Sequence, residues 1–261
     1  MTAAPLQRRV VIDCFPENLT QYANGYAIVA IDVIRATTTA VTAVALGRQC
    51  FAVQSVEEAV SLAPRLPDPL LVGELGGSLP YGFHLQNSPA SLALRTDIDR
   101  PVILLSTSGT RLMCGGTDSQ PVYVACLRNY RATAAQLIAD HPAVALIGAG
   151  ARGEFREEDQ IGCAWIAELL LEAGYAAENE RTVEIVRRWK GASIDEITLG
   201  ASAEYLRRSG QLRDLDFILS HVDDVDDAFV MEGNQVVRQS LQMSSEEILA
   251  QTSVAAETVG R

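Results

Sequence analysis

Short apolar runs rich in Val and Ile recur along the chain at 10–13, 27–33, 50–53, 70–73, 102–105, 122–125 and 143–147. They are continuous rather than alternating, and helical patterns separate most of them. Strands buried on both faces read this way, so an α/β chain with a largely buried sheet is expected. The punctuation agrees. Ser55 to Glu58 has capping-box spacing, Ser88-Pro89 reads as an N-cap followed by proline at the first helical position, and Gly47 and Gly174 stand where helices end.

Further on the pattern turns helical, at 157–173 with a stripe of Ile161, Trp165, Ile166, Leu169 and Leu170, then at 178–190 and 193–208. Residues 215–221 return to β character, and 228–231 and 235–237 form an expected hairpin about Glu232-Gly233-Asn234. No stretch rich in Pro, Gly and Ser divides the chain. One compact unit over 1–240 is expected, with 241–261 as a tail or short helix. The apolar helices of the second half could form a homodimer interface or simply the core.

Composition excludes more than it selects. The 33 acidic against 21 basic residues give a formal charge of −12, the wrong sign for a sequence-independent nucleic-acid binder or an anionic membrane surface. Arg8 and Arg9 precede only a short apolar run, where a signal peptide needs roughly 7–15 apolar residues. Cys14, Cys50, Cys114, Cys126 and Cys163 make an odd set without a C-x-x-C pair and read as reduced, buried thiols. A cytoplasmic protein is expected.

Two places repeat one plan. The run 27–33 leads into Arg35-Ala36-Thr37-Thr38-Thr39, and 102–105 leads into Ser106-Thr107-Ser108-Gly109-Thr110. In each, a buried strand ends in a hydroxyl-rich loop that opens a helix, where open α/β sheets bind ligands. Asp32, at a strand end, is costly unless it meets a metal, a cation or hydrogen-bond donors. The hydroxyls after it suit an anion, so the segment reads either as a metal-plus-phosphate site or as an Asp32–Arg35 pair above a capped helix. An aspartyl nucleophile of the Asp-x-Asp type is disfavoured, because Ile34 fills the second position. The 106–110 loop has the small residues of a phosphate cradle but lacks the lysine of a nucleotide P-loop.

Gly148-Ala149-Gly150-Ala151-Arg152-Gly153 matches G-x-G-x-x-G, yet a helix stands where a dinucleotide fold needs a second strand and a ribose-binding acid. After it come Glu157, Glu158 and Asp159, at a helix N-terminus that favours negative charge. Glu74, His84, Asn87 and Ser88 lie in a glycine-containing stretch and could serve a site. The run 223–227, with four aspartates, lacks the glycine and distal Glu of a calcium loop and reads as a solvated turn.

Together, Ile31 to Thr39, Gly82 to Pro89, Ser106 to Thr110, Asn129 and Gly148 through Phe155 to Asp159 resemble the 2-phosphosulfolactate phosphatase family, which is Mg2+-dependent. The resemblance implies a three-layer α/β/α fold of two similar intertwined halves with mostly parallel or mixed sheets, and hydrolysis of a phosphomonoester on a small anionic acid, with coenzyme M biosynthesis as the setting. His84 and Gln86 stand where the family usually has Asp and Gly, and Ser108 where it usually has Asn.

On this reading Asp32, Glu74 and Asp159 hold Mg2+, and Asp32, Arg35, Glu158 and Asp159 form the catalytic set. Thr37, Thr38, Thr39, Asn87, Ser88, Thr107, Ser108, Gly109, Thr110 and Asn129 bind phosphate and substrate. Arg35 takes the acid end, with Arg111 or Arg152 in reserve, and Asp32 is either nucleophile or ligand. A non-catalytic sensor of a phosphorylated metabolite, a phosphatase for another C3 or C4 acid, and a nucleotide-dependent oxidoreductase on the 148–153 glycines are the competing functions.

Overall fold

A computed structural model describes residues 7–116, 120–150 and 153–239. The expected tail, 241–261, and Arg152 lie outside them. The strands are β1 (Arg9–Asp13), β2 (Ala27–Ile31), β3 (Cys50–Val53), β4 (Leu70–Gly73), β5 (Val102–Leu105), β6 (Val122–Ala125), β7 (Ala143–Gly148), β8 (Ala176–Ala177), β9 (Ala228–Glu232) and β10 (Gln235–Gln239). Each early apolar run is thus a strand, and all five residues of β2 are buried.

One mixed sheet joins them in the order β4-β5-β3-β10-β9-β6-β2-β7-β1-β8. Within β4-β5-β3 and within β6-β2-β7-β1-β8 every pairing is parallel. The expected hairpin, β9–β10, is inserted between these blocks with antiparallel pairings on both sides. Three successive reversals make the two parallel blocks run in opposite formal directions. Sheet twist of roughly 20–25° per step accumulates to roughly 100–125° over the five steps from β5 to β2. The two strands therefore cross, and their carboxyl ends can meet.

The helices are α1 (Ala36–Ala45), α2 (Val56–Leu62), α3 (Pro89–Ala93), α4 (Gly109–Cys114), α5 (Tyr130–Asp140), α6 (Glu157–Glu172), α7 (Glu180–Trp189), α8 (Ala201–Arg208) and α9 (Leu212–Ser220). The sheet separates two apolar layers. Val29 and Ile31 pack with Leu137, Ile161, Ile166, Leu170 and Trp189 from α5, α6 and α7, whereas Ile28 and Ala30 pack with Val41, Leu112 and Met113 from α1 and α4. Of the α6 stripe, Ile161, Ile166 and Leu170 are buried in the core, and Trp165 and Leu169 pack against it partly buried.

Ser55 accepts from the Glu58 amide while Glu58 reaches back to the Gln54 amide, and Ser88 accepts from Ser91. Two expectations are corrected. Residues 215–221 are not a strand: Leu215, Ile218 and Leu219 share one face of α9 and pack against the core. The 193–208 helix is broken at Gly200 into a 3-10 turn, Ile194–Leu199, and α8. The acidic turn is also more than solvated, since Asp223, Asp224 and Asp227 pair with Arg131, Arg128 and Arg238. Among the described residues, no helix is long and apolar enough to cross a membrane.

Candidate active site

A cleft of about 340 Å³ opens where the carboxyl ends of β2, β4, β5 and β7 converge, with α8 as its far wall. Its polar lining includes Asp32, Arg35, Glu74, Asn87, Ser106, Thr107, Ser108, Arg156, Asp159, Ser202 and Tyr205. Asp32 follows β2 directly. Its Oδ1 accepts from the Ala36 amide at 3.1 Å, and its Oδ2 lies against Gly109 at the start of α4. A Cβ on Gly109 would overlap both Oδ2 and the Ala36 side chain. Neither neighbour can retreat in this buried loop. Gly109→Ala is expected to cost roughly 1–3 kcal/mol and to lower any activity of the cleft, read by thermal unfolding and turnover together.

The two loops repeat one hydrogen-bond device. Thr37 Oγ1 accepts from the Asp32 amide and donates to the Asp32 carbonyl, and Thr110 Oγ1 does the same for Ser106. Ser106 therefore occupies in the second loop the strand-end place that Asp32 holds in the first. These threonines correct an expectation: the hydroxyls of Thr37, Thr38 and Thr110 bond their own loops, Thr39 is fully buried, and none lines the cleft.

Glu74 is corrected likewise. It accepts from the Ser106 hydroxyl, from the Thr107 amide and hydroxyl, and from the Gly77 amide, at 2.7–3.0 Å. Four donors saturate a carboxylate, which leaves Glu74 a bracket for the Ser106–Thr107 loop rather than a cation ligand. His84 is exposed, with Nδ1 accepting from the Leu71 amide. Asn129 caps the end of β6 and does not line the cleft; its Oδ1 accepts from Cys126 and its Nδ2 donates to Val124. Arg111 is exposed and also lies outside the lining. Asn87 does line it, with a buried Oδ1 that has no hydrogen-bond partner among the described residues.

Arg35 lines the cleft with its charge already matched. Its Nη1 donates to Asp214 and to Gln211 Oε1, and both side chains of the Arg35–Asp214 pair are almost fully buried. Asp214 also accepts from the Ser88 hydroxyl at 2.6 Å and the Ala90 amide at 3.1 Å, which places Ser88 behind the cleft as support. On the rim, Tyr205 donates to the Gly77 carbonyl at 2.7 Å and straps α8 to the loop after β4.

Asp159 accepts from the Val33 amide at 2.8 Å and the Gly150 amide at 3.2 Å. It thereby occupies the glycine-loop amide that a pyrophosphate would need in a dinucleotide fold. Glu158, behind it, is 1% exposed, and among the described side chains only that of Ser202 is near enough to favour its charged form by hydrogen bonding. Burial pushes the Asp32 carboxyl up to about 7, with Glu74 and Glu158 adding repulsion and the Ala36 amide and Arg35 opposing it. Asp159 is held well above its ordinary range, first by burial and then by Asp32 and Glu158. Burial likewise raises Glu158, against Ser202 and Arg156.

The donor set suits a hard divalent cation: Asp32 and Asp159 line the cleft with Glu158 behind them, and burial makes the ionised form of each carboxylate costly unless donors, protons or a cation meet it. Among the described residues no group of three or more Asp, Glu, His or Cys side chains is placed to hold a metal ion by itself. Mg2+ does not demand one, because it keeps several waters and takes one or two carboxylates. Of the lining residues, sequence reasoning missed Arg156, Ser202 and Tyr205, and behind them Asp214. Arg156 adjoins the acidic triplet and could have been noticed, but the others come from helices without a local motif.

Comparison with known proteins places the chain among relatives of one kind. A family model described as 2-phosphosulpholactate phosphatase matches residues 14–230. A probable 2-phosphosulfolactate phosphatase of Carboxydothermus hydrogenoformans is 30% identical over 230 residues, covering 87% of this chain and 95% of the relative. Another, from Symbiobacterium thermophilum, is 34% identical over 206 residues, covering 74% and 86%.

Proposed function

The chain belongs to the 2-phosphosulfolactate phosphatase family, a family of phosphoric monoester hydrolases, and from that premise we propose that it hydrolyses 2-phosphosulfolactate to sulfolactate and phosphate with Mg2+ as cofactor. The observation that carries the reading is the meeting of two strand ends: Asp32 after β2 faces the Ser106–Ser108 loop after β5 across one cleft, with Asp159 and Glu158 buried beside it.

In this reading Asp32 and Asp159 hold the metal, with Glu158 supporting them. When bound, Mg2+ neutralises phosphoryl oxygens and lowers the pKa of a coordinated water. The Ser108 hydroxyl, together with the first-turn amides of α4, which lack acceptors within the helix, receives the phosphoryl group, while the Ser106 and Thr107 hydroxyls are committed to Glu74. Glu74 holds that loop open at a fixed width through its four hydrogen bonds. Arg35, anchored by Asp214, positions the loop between β2 and α1. The Tyr205 strap limits the entry of bulk water at the rim.

Release of inorganic phosphate from 2-phosphosulfolactate tests the whole reading. Turnover with Mg2+ that EDTA removes and Mg2+ restores is the expected result. Ligand-dependent thermal stabilisation with no phosphate released would reject it in favour of a sensor.

A further inference from the structure

The cleft contains two arginines in opposite circumstances. Arg35 is neutralised inside the protein by the buried carboxylate of Asp214. Arg156 lines the same cleft with a side chain only 18% exposed, and among the described residues its one ion-pair partner is Glu154, at 3.3 Å from Nη1. The Glu154 side chain is 77% exposed, so water screens that pairing and a better anion can replace it at little cost. Among the described residues, the other charged groups on the lining are the carboxylates Asp32, Glu74 and Asp159 and the paired Arg35. Glu158, behind the wall, also feels Arg156.

We propose that Arg156 receives the second oxyanion of the substrate, the sulfonate or carboxylate that stands beside the phosphoester, and so sets a preference for acidic phosphoesters. The proposal rests on the phosphatase reading above. An acid group entering this cleft meets a lining dominated by carboxylates and is repelled unless a cation receives it. A guanidinium does so with two parallel N–H donors matched to a planar or tripodal oxyanion. Arg156 is carried by the segment leading into α6, whereas the Ser108 hydroxyl and the α4 amides assigned to the phosphoryl group follow β5. Separate segments thus take the two charges of one small molecule, and Arg35 is left to position rather than to bind.

The test measures kcat and KM of wild type, Arg156→Ala and Arg156→Lys on 2-phosphosulfolactate, on O-phospholactate, which has the carboxylate alone, and on phenyl phosphate, which has neither. Arg156→Ala is expected to lose roughly 10–100-fold more kcat/KM on the acidic esters than on phenyl phosphate, mainly through KM, with Arg156→Lys recovering part of the difference. A selective loss on 2-phosphosulfolactate alone supports the proposal and names the sulfonate; one shared with O-phospholactate supports it and names the carboxylate. An equal loss on all three esters overturns it. Calorimetric binding of sulfolactate separates the two readings. Unchanged affinity in Arg156→Ala rejects the role of Arg156 whether or not the wild type turns over, whereas absence of phosphate release from the wild type rejects the phosphatase reading.

Discussion

Asp32→Asn is expected to lower Mg2+-dependent phosphate release by roughly 10²–10³-fold or more and, in the same preparation, to raise the melting temperature of the metal-free protein at pH 8. The two effects share one cause. The carboxyl is buried at a strand end, and its ionised form is disfavoured by burial and by Glu74 and Glu158 more than Ala36 and Arg35 favour it. Its ordinary value is 3.8 and its folded value about 7, so between these limits the native state holds a proton that the unfolded chain has released. Stability from this group is full below about pH 4 and is lost as the pH rises through 7. Asp159 and Glu158 are displaced in the same direction.

Metal-free wild type should therefore melt at progressively lower temperature from pH 5 to pH 8, and Asp32→Asn less steeply. Because a metal binds the deprotonated carboxylates, stabilisation by added Mg2+ should grow over the same interval and be largely absent from the variant. Melting curves at four pH values, with and without Mg2+, decide the matter. An Asp32→Asn protein that keeps full activity, or a wild type indifferent to Mg2+ at pH 8, is incompatible with the assignment.

Arg35→Ala should be the most destabilising single change in the cleft. Arg35 and Asp214 are both almost fully buried. Removing the guanidinium leaves a carboxylate with only the Ser88 hydroxyl and the Ala90 amide as donors, and breaking one side of a buried pair typically costs about 3–5 kcal/mol. For a protein of this size that corresponds to a fall of roughly 6–20 °C in melting temperature. The double variant Arg35→Met, Asp214→Leu should recover much of that stability, because no orphaned charge remains. It should not recover activity, because the loop between β2 and α1 loses its tie to α9. Equal stability of wild type and Arg35→Ala in calorimetry would refute the buried-pair account.

The fold was largely legible. Continuous Val and Ile runs can be satisfied only by strands covered on both faces, and their spacing by helices leaves few architectures open. Ser55 and Ser88 act as caps because a cap needs partners only three residues away. The misreading of 215–221 shows the limit. Leu215, Ile218 and Leu219 suit either period in so short a window, and α8 beside them selects the helix. In the candidate site, Asp32 and the 106–108 loop could be identified because each follows a strand end directly, and Asp159 because it belongs to an acidic triplet at a helix start.

The roles of Glu74, Arg35 and the threonines could not be read in the same way. Whether a carboxylate awaits a cation or is already saturated depends on four donors contributed by the Gly77 and 106–107 segments. Whether an arginine is available depends on Asp214, 179 residues away, and the strap at the mouth joins Tyr205 to Gly77 across 128 residues. The sequence by itself determined the buried strands, the helices with long apolar stripes or caps and which strand ends carry polar residues, since these follow from hydrophobic period and local capping. Only the tertiary structure decided that two oppositely directed parallel blocks bring Asp32 to Gly109, and which charges are matched. Burial and pairing are properties of neighbours in space, and no local pattern encodes them.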